Sequence, residues 1–281
     1  MKKILLFMAV GALSFQMNSQ VTTPQSSPLS KVEQKVGLTD FTLEYSRPGV
    51  KGRTVFGDLV PFDKVWRTGA NKNSIITFTD NVTIMGQLLK AGSYAVYAKP
   101  GKEVWEVMFY TETGNWGLPE KWDDSKVAAR VNAQVHQMPF NVENFTMDIN
   151  QISNSGATLE IIWEKTYVGV PFTVPTDDKV LASINDALNG TPKASDYYAA
   201  AVYYSEEGKD LKQAKEWMDK AMTMMDEPMF YQLRQQSLIY AKTGDIKGAI
   251  KIAKKSLEAS KAAGNDDYVK MNMDSLKEWE K

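Results

Sequence analysis

The chain changes its hydrophobic period once, and that change divides it. Between Phe41 and Trp163 apolar and polar residues alternate in short runs: Phe41 to Tyr45, Ile76 to Thr79, Val82 to Ile84, Tyr94 to Tyr97, Val104 to Phe109, Phe145 to Ile149 and Leu159 to Trp163. A period of two puts every second side chain on one face of a strand, and these runs are rich in β-branched and aromatic residues. Turn residues stand between them at Ala91–Gly92, Pro100–Gly101 and Asn154–Gly156. Roughly nine or ten strands with no helical pattern between them predict an antiparallel β-sandwich or jelly roll. Beyond Val174 and Pro175 the period becomes helical. Thr176 suits an N-cap, Asp177 and Asp178 follow in the first turn, and Val180, Ile184 and Leu188 share one face. Gly190 and Pro192 end that helix, so Thr176–Asn189 is the first predicted helix and Asp266–Lys281 the last.

Between these two helices a pattern recurs. Gly208 is followed by Ala214, Trp217 and Ala221, and Gly244 by Ala249, Ile252 and Ser256. Small residues at matching places let antiparallel helices approach closely. The interval from Ala214 to Ala249 is about 35 residues, so the segment resembles tetratricopeptide repeats, whose period is about 34. Pro228 falls near the end of the first copy, as in that family, and the second copy lacks it. The methionines from Met218 to Met229 suit packing between repeats. The fold class is therefore an all-β N-terminal domain followed by an all-α helical-repeat domain.

The N-terminus reads as a signal peptide over residues 1–19. Lys2 and Lys3 precede an apolar run from Ile4 to Phe15, and polar residues follow to Gln20. That run of about a dozen residues is too short to span a bilayer of roughly 30 Å. Residues 20–30, rich in Pro, Ser and Thr, read as a flexible segment, 31–174 as the β domain and 176–281 as the helical domain. No later run is apolar enough to cross a membrane. There is no Cys, which excludes disulfides, thiolate metal sites, a Cys nucleophile and a lipoprotein anchor. Export without disulfides points to a bacterial periplasm, cell surface or extracellular space. Lys and Arg number 33 against 34 Asp and Glu, for a net charge of -1, so no global field favours a nucleic-acid partner.

The chemistry is sparse. No dinucleotide or Walker loop, no zinc-protease helix and no nucleophile elbow occurs. His136 is the one His; it lies on the polar phase of the run from Val131 and reads as an exposed strand residue. No catalytic residue, metal ligand or cofactor is assigned. The densest polar stretch, Ser46 to Asn73, carries Arg47, Lys51, Arg53, Lys64 and Arg67 among four glycines. Guanidinium forks suit carboxylates and phosphates, so Arg47, Arg53, Arg67 and Asn71 form a candidate anion site. The competing reading is a structural loop whose arginines pair with Asp58 and Asp63. A second candidate is the loop from Tyr110 to Trp122, where Trp116 and Trp122 would stack on sugar rings. Its competing reading is two indoles capping the end of the sandwich.

Ser46 to Arg53, Val65 to Asn71, Leu89 to Tyr94 and Asn115 to Gly117 occur in that order, followed by Leu159 to Lys165 and Val170 to Phe172. In these motifs the chain resembles the bacterial "domain of unknown function 2911" family, found largely in Bacteroidetes, over about Ser30 to Val174. The resemblance implies a signal peptide and, in some members, a tetratricopeptide-like tail. It implies no activity. Three readings remain open: an exported binding or assembly protein with a small-anion pocket and partner-binding repeats, a carbohydrate-binding module, or an enzyme of unrecognised type around the arginines and His136. The partners to expect are a protein or peptide on the repeats and a small anion or glycan on the β domain.

Overall fold

A computed structural model describes residues 23–281; the expected signal peptide lies outside the described residues. The chain divides between Pro175 and Thr176 into two units. Among its described residues the first holds nine strands: β1 Leu29–Val36, β2 Thr39–Ser46, β3 Ser74–Phe78, β4 Val82–Ile84, β5 Gln87–Leu89, β6 Gly92–Lys99, β7 Val104–Tyr110, β8 Val127–Asn150 and β9 Gly156–Thr173. They pair antiparallel in the order β1-β2-β3-β6-β7-β8-β9-β4-β5.

Strand β8 explains how one ladder makes two layers. Its first part, from Val127 to Gln134, pairs with β7. Its later part, from Val135 to Asn150, pairs with β9. The β8–β9 register breaks between Gln137 and Val142 and again between Val142 and Thr146. Opposite this stretch Glu164 has a φ of 53°. Bulges bend and twist a strand, and here they accompany the passage from one layer to the other. The layers then face each other. Phe41 of β2 meets Phe172 of β9 at 4.8 Å between ring centres, although those strands are not neighbours in the ladder.

The alternation seen in sequence becomes inside and outside. Phe41, Leu43 and Tyr45 are buried, while Asp40 before them and Glu44 between the last two are exposed. The core gathers side chains from every strand and includes Ile76, Phe109, Met147, Ile161 and Val170. A smaller apolar cluster, Tyr97, Met108 and Tyr110 with Trp122, lies on the outer face of β6 and β7. The edge strand β1 carries Lys31, Glu33 and Lys35, charges that oppose pairing with another sheet edge.

The second unit is helical: α1 Thr176–Asn189, α2 Ala194–Glu206, α3 Leu211–Thr223, α4 Phe230–Lys242, α5 Ile246–Ala262 and α6 Asp266–Trp279. Helices α2 and α3 pack as one hairpin and α4 and α5 as another, and α6 lies on α5. Ala214, Ala221, Ala249 and Ser256 are fully buried, as their small size and spacing predict. The turns before α3, α5 and α6 each hold a glycine of positive φ, at Gly208, Gly244 and Gly264. An N-cap follows each: Asp210 accepts from the amides of Lys212 and Gln213, Asp245 from Gly248 and Asn265 from Tyr268. The third of these junctions was not foreseen as a copy of the other two. Among the described residues no helix is long and apolar enough to cross a membrane.

Candidate functional site

The loop between β2 and β3 runs from Arg47 to Asn73. It is bound down at several points. Val50 N donates to Glu143 O at 2.8 Å and Phe145 N donates to Pro48 O at 2.9 Å. Trp66 and Ala98 exchange both backbone hydrogen bonds, at 2.7 and 2.9 Å. Beneath the loop lies an aromatic nest. Phe56 meets Trp105 at 4.8 Å, Trp66 meets Phe145 at 5.3 Å, and Trp66 and Trp163 lie 16° from parallel at 6.0 Å. Four non-glycine residues of the loop, Lys51, Asp63, Thr68 and Asn71, hold φ between 51 and 59°. Left-handed backbone costs energy at such residues, and the nest and backbone bonds hold the loop in that form.

The arginines do not pair with Asp58 or Asp63. Arg47 donates from Nε to Phe145 O at 3.0 Å and from Nη2 to Thr146 Oγ1 at 2.8 Å. Arg53 donates from Nε to Val50 O at 2.9 Å and from Nη2 to Gly49 O at 2.6 Å. Arg67 donates from Nη1 to Asn71 O at 2.9 Å. Carbonyl oxygens fix these guanidinium groups without cancelling their charge.

A cavity of about 340 Å³ opens beside them. Lys51, Arg53 and Arg67 line it with Ser26 and Ser27, and Trp66, Trp163, Leu59 and Val60 are its apolar lining. No carboxylate belongs to the lining. Among the described residues Arg53 Nη1 and Arg67 Nη2 have no hydrogen-bond partner, which leaves them for a ligand. Of the four residues singled out in sequence, Arg53 and Arg67 reach the cavity and Arg47 and Asn71 do not. Arg47 ties the end of β2 to β8. Asn71 Nδ2 donates to Ser27 O at 3.1 Å and to Ser46 Oγ at 3.3 Å, which fastens the segment before β1 to the rim. Lys51, Trp66 and Trp163 went unassigned in the sequence reading, because no spacing ties positions 51, 66 and 163 together.

The two indoles of the second loop separate. Trp122 packs on Tyr97 at 5.3 Å and on Tyr110 at 4.8 Å, and its Nε1 donates to Asp124 Oδ1 at 3.0 Å. Trp116 is 72% exposed. This loop nevertheless meets the first. A Cβ on Gly117 would lie 2.8 Å from Arg67 Nη1, and the φ there is +102°. Gly117 O accepts from Tyr97 OH at 3.1 Å, and Asn115 O accepts from Asn73 N at 3.3 Å. Behind this junction Asn73 Oδ1, Tyr110 OH and Asn115 Nδ2 are buried with no hydrogen-bond partner among the described residues. Burial raises the pKa of Tyr97 in the same cluster.

His136 is exposed on β8, 6.0 Å from the Tyr167 ring. It lines a different hollow from the arginines. Burial, and then the charge of Glu160, push the Tyr167 pKa up to about 12. Another hollow of about 330 Å³ mixes Lys102 and Lys165 with Glu164, so its charge is not of one sign. In the helical unit a groove of about 610 Å³ runs between Leu181, Ile184 and Leu188 of α1 and Tyr204, Trp217 and Lys220 of α2 and α3. Among the described residues no cluster of three or more His, Cys, Asp or Glu could hold a metal ion.

No curated protein matches the chain, and no solved structure does. One family model matches residues 27–172, which takes in the arginine loop, the Trp116 loop and almost all of the nine strands. The chain belongs to the family described as a protein of unknown function (DUF2911).

Proposed function

We propose that this is an exported binding protein whose β unit holds a small organic anion in the cavity of Lys51, Arg53 and Arg67. The observation that carries the reading is a lining with three cations and no carboxylate. Guanidinium groups already fixed by carbonyls lose little freedom when they take up an anion. The apolar wall keeps water off one side, which strengthens each charge contact. Export rests on the pattern of residues 1–19 and the absence of Cys.

The helical unit adds a partner-binding surface in this reading. Two hairpins repeat at about the tetratricopeptide interval, and a groove of about 610 Å³ with mixed apolar and polar lining runs along α1.

The test is calorimetric titration of the chain from Gln20 to Lys281 with phosphate and with di- and tricarboxylates. Binding is expected, and it should be lost in the double variant Arg53→Ala, Arg67→Ala with an unchanged circular dichroism spectrum. An unaltered isotherm in that variant would overturn the proposal.

A further inference from the structure

We infer that the ligand of this cavity is an anionic sugar, a pyranose ring bearing a carboxylate or a phosphate, and that Trp116 supplies its outer stacking surface. The inference rests on the anion-binding reading and narrows it.

The cavity lining combines Arg53, Arg67 and Lys51 with the half-buried Trp66, which stacks on the buried Trp163. An inorganic anion would use only the cations. A purely aromatic acid would use the cations and the indole but leave Ser26 and Ser27, which also line the cavity, without a role. A sugar acid has a matching group for each: a charged oxygen pair for the guanidinium fork, hydroxyls for the serines, and a face of C–H groups for an indole.

Trp116 enters through Arg67. Gly117 packs so closely on Arg67 Nη1 that no Cβ fits between them. The residue before it is one position from that contact, and it is a tryptophan left 72% exposed. Trp122, the other indole of the loop, is committed to Tyr97 and Tyr110. Among the described residues the Trp116 ring makes no aromatic contact, which leaves it to serve a ligand held by Arg67. The anion site and the stacking loop thus form one composite site with Arg67 as the shared member.

The experiment titrates the chain from Gln20 to Lys281 with glucuronate, galacturonate and glucose 6-phosphate, against glucose, inorganic phosphate, acetate and benzoate. At least one anionic sugar should bind about tenfold or more tighter than both glucose and the matching simple anion. Trp116→Ala should weaken that sugar by about tenfold while leaving phosphate affinity unchanged, and Trp116→Phe should restore most of the loss. Arg67→Ala should weaken both classes. If phosphate or acetate binds as tightly as every sugar acid, or benzoate binds best, the sugar assignment falls and the anion pocket stands. Equal sugar binding by wild type and Trp116→Ala removes Trp116 from the site. If no anion binds at all, both readings fall together.

Discussion

A methyl group added at position 117 would start 2.8 Å from Arg67 Nη1, on a backbone whose φ of +102° L-residues rarely adopt. Gly117→Ala must therefore shift either the guanidinium or the loop. The expected result is a loss of about 1–2 kcal/mol in denaturant unfolding together with weaker anion binding in the same variant. Gly114 has open space around it, so Gly114→Ala is the control and should leave the anion isotherm unchanged. Two tyrosines give a pH signature. Tyr167 of the β unit and Tyr198 of the helical unit have pKa values pushed up to about 12, each first by burial. The unfolded chain ionises them near pH 10. Their neutral forms thus stabilise the fold fully below about pH 10, and that contribution is lost as pH rises from about 10 to 12. Urea midpoints measured across this window should fall, and the fall should be smaller in Tyr167→Phe, Tyr198→Phe than in wild type.

At the level of elements, Asn272 joins α6 to α5. It is fully buried, its Nδ2 donates to Ser256 Oγ at 2.9 Å, and its Oδ1 accepts from Arg234 Nη1 at 3.2 Å. Asn272→Ala leaves buried hydroxyls and a half-buried guanidinium short of partners, at a cost of about 1–3 kcal/mol. A lowered thermal midpoint read from the helical far-ultraviolet signal checks it. The elements themselves were largely legible. Helix α1 spans Thr176–Asn189 as its cap and apolar spacing predict, and α6 stops at Trp279, short of the expected Lys281, where helix ends fray. Seven alternating runs fall in seven different strands. The length of β8 was not legible, because its alternation is interrupted between Gln137 and Thr146, where the register shifts. Pairing order was hidden for a simpler reason: a period of two assigns a face to each residue and says nothing of which strand lies alongside. The site was half legible for the same reason. Charge and glycine content marked the stretch that holds Arg53 and Arg67, but Trp163 joins them only through the folding of β9 over the loop.

Across the whole molecule, each unit has a core of its own. Within the β unit the sheet order sets a schedule. The hairpin of β4 and β5 finds its outside partner only at the end of β9, where Thr83 faces Thr173 and Ile84 faces Phe172. The second half of β8 pairs with β9 as well. A chain ending at Pro175 should keep the near-ultraviolet signal of the buried tryptophans, whereas one ending before Gly156 should lose it, since a whole layer then lacks its central strand. Such long-range pairings are slow to form. While the chain is being made, the β4–β5 hairpin, Val82 to Leu89, must wait until Thr173 has left the ribosome before its layer can close. Under the export proposed above, this ordering would keep the β4–β5 and β8–β9 layer open for threading until nearly the whole β unit has been synthesised.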